Sequence, residues 1–149
     1  MTSAARAAGV GVVLTAIVGA STASYALQVQ ITTVRAAEHG PSDAQLDELR
    51  PRLRRLVGYR SFVVVRDERR ECAWQTAEAF KIPGGHLLHV VPKGMREQAV
   101  FMQVKLLDRR RPLIDTDVRL QNRGVMLFGV GRDANAADGA LIIMLRAEE

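Results

Sequence analysis

From Leu27 to Val34 the chain alternates, with Leu27, Val29 and Ile31 on one side and Gln28, Gln30 and Thr32 on the other. Period two predicts a strand with one wet face. A linker over residues 36–41 ends at the Gly40-Pro41 break. The period then changes. Leu46, Leu49, Leu53 and Leu56 recur at helical spacing, so the segment from Ser42 to Gly58 predicts one helix with an apolar stripe that packs on a sheet. Ser42 and Gln45 have the spacing of a capping box. Asp43, Asp47 and Glu48 lie early and Arg50, Arg52, Arg54 and Arg55 late, as the helix dipole favours, and Gly58 is a natural stop. Pro51 conflicts with a continuous helix, because an interior proline costs about 3 kcal/mol. Either a kink forms there or a helical turn restarts with Pro51 in its first position.

From Tyr59 onward the pattern is strand and turn. Phe62-Val63-Val64-Val65 predicts a buried strand by its β-branched content, and the charged run Asp67-Glu68-Arg69-Arg70 predicts the tip that follows it. Residues 72–82 then place Cys72, Trp74, Thr76, Glu78 and Phe80 on one face. Pro83-Gly84-Gly85 predicts a tight turn, and Pro92-Lys93-Gly94 a second one after a strand over 87–91. Between Ala99 and Leu107, Val100, Met102, Val104 and Leu106 alternate with Phe101, Gln103, Lys105 and Leu107. A charged tip over 108–112 follows. Ile114, Thr116, Val118 and Leu120 then face in, while Asp115, Asp117 and Arg119 face out. Asn122-Arg123-Gly124 turns into a strand over 125–130, and a polar loop over 131–139 leads to a last strand over 140–145.

Strands that follow one another through short turns pair antiparallel. The expected fold is α+β and mostly antiparallel β. One strand, one kinked helix and about seven further strands form a meander, closed as a small sandwich or partly open barrel, with the helix over one face or one mouth.

The first 26 residues break this pattern. Arg6 precedes an uninterrupted small and apolar run from Ala7 to Ala20, with Thr15 its one polar member, and Ser24-Tyr25-Ala26 and Ser21-Thr22-Ala23 offer small-residue cleavage sites. The run is shorter than the roughly 20 residues that cross a bilayer as a helix. Residues 1–26 therefore read as a signal peptide cut after Ala26, leaving 27–149 as a single exported β-rich domain in the periplasm or outside the cell, with no membrane span. Retention of 1–26 as an anchor is the alternative.

Composition changes the picture in two places. The formal net charge of +5 becomes +4 without Arg6, and 18 of the 21 basic residues are arginine, a bias that fits a GC-rich bacterial genome. The charge is spread and aromatics to stack on bases are few, so nucleic acid is not the expected partner, and at most a weak attraction to anionic envelope surfaces is left open. The lone Cys72 excludes an intramolecular disulfide and is expected as a half-buried strand residue rather than an interchain link.

Candidate chemistry is sparse. Asp115 and Asp117 point the same way about 7 Å apart, a spacing that suits acid/base work or a metal in principle, yet Arg119 continues that face and a solvated mixed-charge surface explains all three. His86 and His89, at i and i+3 on a strand, point to opposite faces, and His39 lies in the linker, so no zinc site is expected. Gly129-Val130-Gly131-Arg132 lacks the helix and the Gly-Lys-Ser/Thr ending of a phosphate loop. Ser42 and Ser61 have no nucleophile-elbow context. The arginine tip Arg109-Arg110-Arg111, with Arg69-Arg70 and Arg54-Arg55, would make an anion-binding patch if the fold gathered two of them at one end. The aromatic residues, Phe101 among them, and the methionines are expected in the core.

The stretches Phe80-Lys81-Ile82-Pro83-Gly84-Gly85, Asp115-Thr116-Asp117-Val118-Arg119-Leu120, and residues 124–131 ahead of Ala140-Leu141-Ile142-Ile143 resemble a group of uncharacterised exported proteins of Gram-negative bacteria. The last stretch is also loosely similar to the β-hairpins of outer-membrane secretins, without the rest of a secretin. The resemblance implies an envelope role and carries no activity, cofactor or catalytic residue. The leading expectation is a non-enzymatic domain acting by protein–protein contact with an envelope partner, through an exposed strand edge such as 27–34 or an apolar patch. The alternative is a small carrier with an apolar or anionic ligand between helix and sheet, and a hydrolase using Asp115 and Asp117 stands third.

Overall fold

Two four-stranded antiparallel sheets carry the chain in a computed structural model that describes residues 27–132 and 139–149. The order is β1 (Leu27–Ala37), a single 3-10 turn (Ala44–Leu46), α1 (Arg50–Val57), β2 (Ser61–Cys72), β3 (Glu78–Ile82), β4 (His86–Arg96), β5 (Ala99–Asp108), β6 (Arg111–Gln121), β7 (Val125–Arg132) and β8 (Gly139–Glu148). One strand, a helical segment and seven strands is the expected order. The expected signal peptide at 1–26 and most of the loop expected at 131–139 lie outside the described residues.

One sheet has the order β2-β1-β8-β7 and the other β3-β4-β5-β6. Every strand therefore lies beside its neighbour in sequence, and β1 pairs with β8 along most of its length. This is the strand order of an eight-stranded up-and-down barrel, opened along two seams, β2/β3 and β6/β7, where strands approach without joining one sheet. The expected sandwich and the expected open barrel are thus one object. Its interior is filled by both sheets: Leu27, Val29 and Ile31 of β1, Leu141, Ile143 and Leu145 of β8, Phe80, Leu88 and Val90 of β3 and β4, and Val100, Met102, Val104 and Leu106 of β5.

The 3-10 turn and α1 cover the outer face of the β1 sheet, where Leu46 and Leu53 pack on Val34, Ala36, Phe62, Ile142 and Met144. β8 is buried on both faces, which explains its unbroken apolar run from Ala140 to Leu145. Pro51 lies in the first turn of an eight-residue helix, so the restart resolves the conflict and no kink is needed. Gly58 ends the helix in the left-handed region (φ 72°), donating to the Arg54 carbonyl. The expected capping box does not form. Ser42 Oγ accepts from the Phe62 N–H and Asp43 carboxylate from the Val64 N–H, so these side chains satisfy the edge of β2 instead of a helix end.

Two turn expectations, and the strand expected over 72–82, are corrected. The run Asp67-Glu68-Arg69-Arg70 is strand, because β1 continues beside it as a template. Val65 is left out of the pairing, and this bulge sets Arg66, Glu68 and Arg70 on the inner side opposite Ile31 and Val29. Glu68 is paired there with Arg70 and Arg66, and Arg70 crosses the seam to Glu78 (3.6 Å), the Ala79 carbonyl (2.7 Å) and the Phe80 ring (4.6 Å to the centroid). Consequently the chain turns at 73–77, and Cys72 and Phe80 belong to different strands. Pro92-Lys93-Gly94 is not a turn. Lys93 is the extra residue of a bulge within β4, and the hairpin closes at Glu97-Gln98, both at positive φ (52° and 64°).

Candidate functional site

The outer face of the β3–β6 sheet has no helix over it among the described residues. Strand pairing arranges its side chains in rows: Ala79, His89, Lys105 and Asp115, then Val91, Gln103 and Asp117, then Phe101 and Arg119. Leu87 and Leu107 pair one row beyond Lys105. Leu87, Val91, Phe101 and Leu107 are half-buried, while Asp115, Asp117 and Arg119 on the edge strand β6 are exposed. The face thus has an apolar middle and a charged margin.

Asp115 and Asp117 do share a face, as expected, but their partners make them surface charges. Asp115 lies 3.8 Å from the Lys105 ammonium and accepts from Gln103 Nε2 at 3.3 Å. Arg119 lies 4.0 Å from Glu97 and its guanidinium stands 5.7 Å from the centre of the Phe101 ring. Asp117, Arg119, Lys93 and Phe101 line a shallow hollow of about 420 Å³, and Lys93 and Phe101 also line a neighbouring one of about 280 Å³ with Met95 and Arg96. The β4 bulge creates this relief by adding Lys93 beside the Phe101 register. Phe101 was expected in the core and stands outside it. The signal for its placement is its parity with Gln103 and Lys105, since residues two apart on a strand share a face.

The Arg69-Arg70 pair is not gathered with the Arg109-Arg110-Arg111 tip, whereas Arg54 and Arg55 of α1 lie toward the same end as that tip. Arg109, Arg110 and Arg111 form the β5/β6 turn at one end of the sandwich, whereas Arg69 and Arg70 are strand residues near Cys72 at the other end. Arg111 and Arg119 are eight residues apart on one strand, roughly 27 Å. His86 and His89 take opposite faces as expected; His86 Nδ1 and His89 Nε2 are buried without a hydrogen-bond partner in the described residues. No group of three His, Cys, Asp or Glu side chains with metal-binding geometry occurs among the described residues. Gly129 and Val130 belong to strand β7, not to a phosphate loop. Cys72 is fully buried, its thiol pushed up to about 11 by burial and by the Glu78 carboxylate, against the opposing pull of Arg70.

Beneath the helical cover a cavity of about 110 Å³ lies between Leu46 and Leu49 and the floor of Thr32, Val64 and Met144. Asp67 stands on its rim, accepting from Gln30 Nε2 at 3.0 Å and Thr32 Oγ1 at 2.9 Å, with Arg146 on the other side. No described helix is long and apolar enough to cross a membrane. Comparison with known protein families, curated proteins and solved structures finds no match to this chain.

Proposed function

We propose that this chain is a non-enzymatic domain of the periplasm or envelope that acts by protein–protein contact through the outer face of the β3–β6 sheet. The observation that carries the reading is that the interior is filled while no described residue covers this face, with Leu87, Val91, Phe101 and Leu107 half-buried inside a margin of Lys93, Lys105, Asp115, Asp117 and Arg119. Apolar centre and charged rim are the anatomy of an association surface. The partner that fits presents apolar side chains to the Phe101 hollow and a carboxylate to Arg119 and Lys93. Export rests on the pattern of residues 1–26. The carrier alternative has about 110 Å³ beneath Leu46 and Leu49, below the roughly 300 Å³ at which small-molecule sites begin, and beside it an open hollow of about 410 Å³ lined by Arg52, Arg55, Leu56 and Leu127.

The test places a photo-crosslinking residue at Phe101 in the cell that makes the protein, with Glu71 on the exposed edge of the other sheet as the control. A discrete adduct from position 101, weakened by Arg119→Glu and missing from position 71, is the expected result. No adduct at 101, or the same adducts from both positions, ends this reading.

A further inference from the structure

A second part of the surface points to a different partner. Among the described residues the exposed large apolar side chains are Leu56, at 43% exposure, and Leu113, at 46%. The fold brings both to one end of the sandwich. Leu113 is the extra residue of the bulge between β5 and β6, two positions after the start of β6. Leu56 lies in the last turn of α1 against Gly129, where a Cβ would stand 3.9 Å from its Cγ, three residues before the end of β7. The start of β6 and the end of β7 flank the same open seam.

Each leucine is set among arginines. Arg52, Arg54 and Arg55 surround Leu56 on the helix, and Arg109, Arg110 and Arg111 precede Leu113. None of these six has a carboxylate partner among the described residues, although Arg52 donates to the Val125 carbonyl and Arg55 to that of Pro51. Arg50, Arg66, Arg70, Arg119 and Arg123, by contrast, are ion-paired. Unneutralised guanidinium groups beside exposed leucines are what a phosphate-bearing apolar boundary complements.

We propose that this end of the sandwich docks on an anionic bilayer surface, the arginines on lipid phosphates and Leu56 and Leu113 in the boundary between headgroups and acyl chains. The guanidinium fork matches phosphate geometry. A basic helix with an apolar residue on its exposed side lies in that interface. Leucines, which enter acyl chains but do not stack on bases, favour lipid over nucleic acid. This docking is independent of the sheet face proposed above.

The experiment uses the full chain, so that whatever residues 1–26 contribute is common to every variant. A polarity-sensitive fluorophore is attached at Leu56→Cys, at Leu113→Cys, and at Gln121→Cys on the opposite end. Cys72 is buried and does not compete for the label. Phosphatidylglycerol vesicles should blue-shift the probe at 56 and 113 but not at 121. Phosphatidylcholine vesicles should leave all three unchanged, and high salt should reverse the shift. Each arginine near an anionic surface strengthens attachment roughly fivefold, so replacing Arg109, Arg110 and Arg111 together by alanine should weaken it roughly a hundredfold. Arg123→Ala, which removes an arginine already paired with Glu148, should change it less than twofold. No shift at 56 and 113, an equal shift at 121, an equal response to phosphatidylcholine, or an equal shift with a single-stranded oligonucleotide each overturns the proposal.

Discussion

Cys72 closes β2 with its side chain buried against Leu27 and Phe80, in a place where ionisation is opposed first by burial and then by Glu78. Its pKa rises from 9.0 to about 11, so the folded state holds the thiol proton more tightly than the unfolded chain does. Stability from this group is fully present below pH 9 and is lost as pH climbs through 11. Two units correspond to at most about 2–3 kcal/mol. Denaturant unfolding measured from pH 8 to 11 should show that decline, and Cys72→Ala should flatten it; an identical decline in the variant would assign it to other groups. At the residue scale the sequence already pointed to a half-buried strand thiol, and the structure buries it fully. The sequence had no means of saying that Glu78 flanks it, because Glu78 reaches it across a seam between sheets, whereas Arg70 acts from two positions earlier on the same strand. Phe101 is the converse case. Its parity was legible, but residue type alone assigned it to the core, and it stands half-buried on a sheet face that no element covers among the described residues.

Among the elements, β1 departs furthest from expectation. It reads as a strand with one wet face and an available edge, and it is instead the inner strand between β2 and β8. Its backbone groups are used on both sides, so Val29→Pro should remove a ladder hydrogen bond, cost about 3 kcal/mol or more and unfold the domain. Circular dichroism and thermal melting check this, and a folded Val29→Pro variant would contradict the pairing. The β4/β5 hairpin is the second case. Glu97 and Gln98 both lie in the left-handed region, which suits a two-residue turn and costs side chains that carry a Cβ roughly 1–2 kcal/mol each. Replacing the pair by Asn-Gly should raise stability by about 1 kcal/mol, seen as a higher denaturation midpoint at unchanged slope. The loss of the Glu97–Arg119 pair matters little, since both groups are largely exposed. The turn was missed because neither residue announces it, while Pro92-Lys93-Gly94 five residues earlier announces a turn that the sheet absorbs as a bulge.

For the molecule as a whole, the β1–β8 pairing joins the two ends of the strand order, and it also couples the two cores. Ile142 points under the helix and Ile143 into the sandwich interior, from adjacent positions of β8. Ile142→Val and Ile143→Val should each cost about 0.5–1.5 kcal/mol and shift one common unfolding transition, followed by near- and far-ultraviolet circular dichroism. Two separated transitions would mean that the helical cover and the sandwich unfold independently. Such coupling holds the bare sheet face and the arginine-rich end on one rigid frame.

Composition and period by themselves determined the class, the count and order of the elements and the inward positions of most strands, and they narrowed Pro51 to a kink or a restart. They are local properties: alternation reports which side of a strand is apolar, and proline and glycine act on their own backbone. Tertiary structure alone decided that β1 is central, that 67–70 is strand, that among the described residues one sheet is covered by a helix and the other is not, and that Leu56 and Leu113 lie toward one end beside arginines without a described carboxylate partner. Each of these depends on which strand lies beside which, a pairing between residues as distant as Gln28 and Glu148, and no property of a short window encodes it.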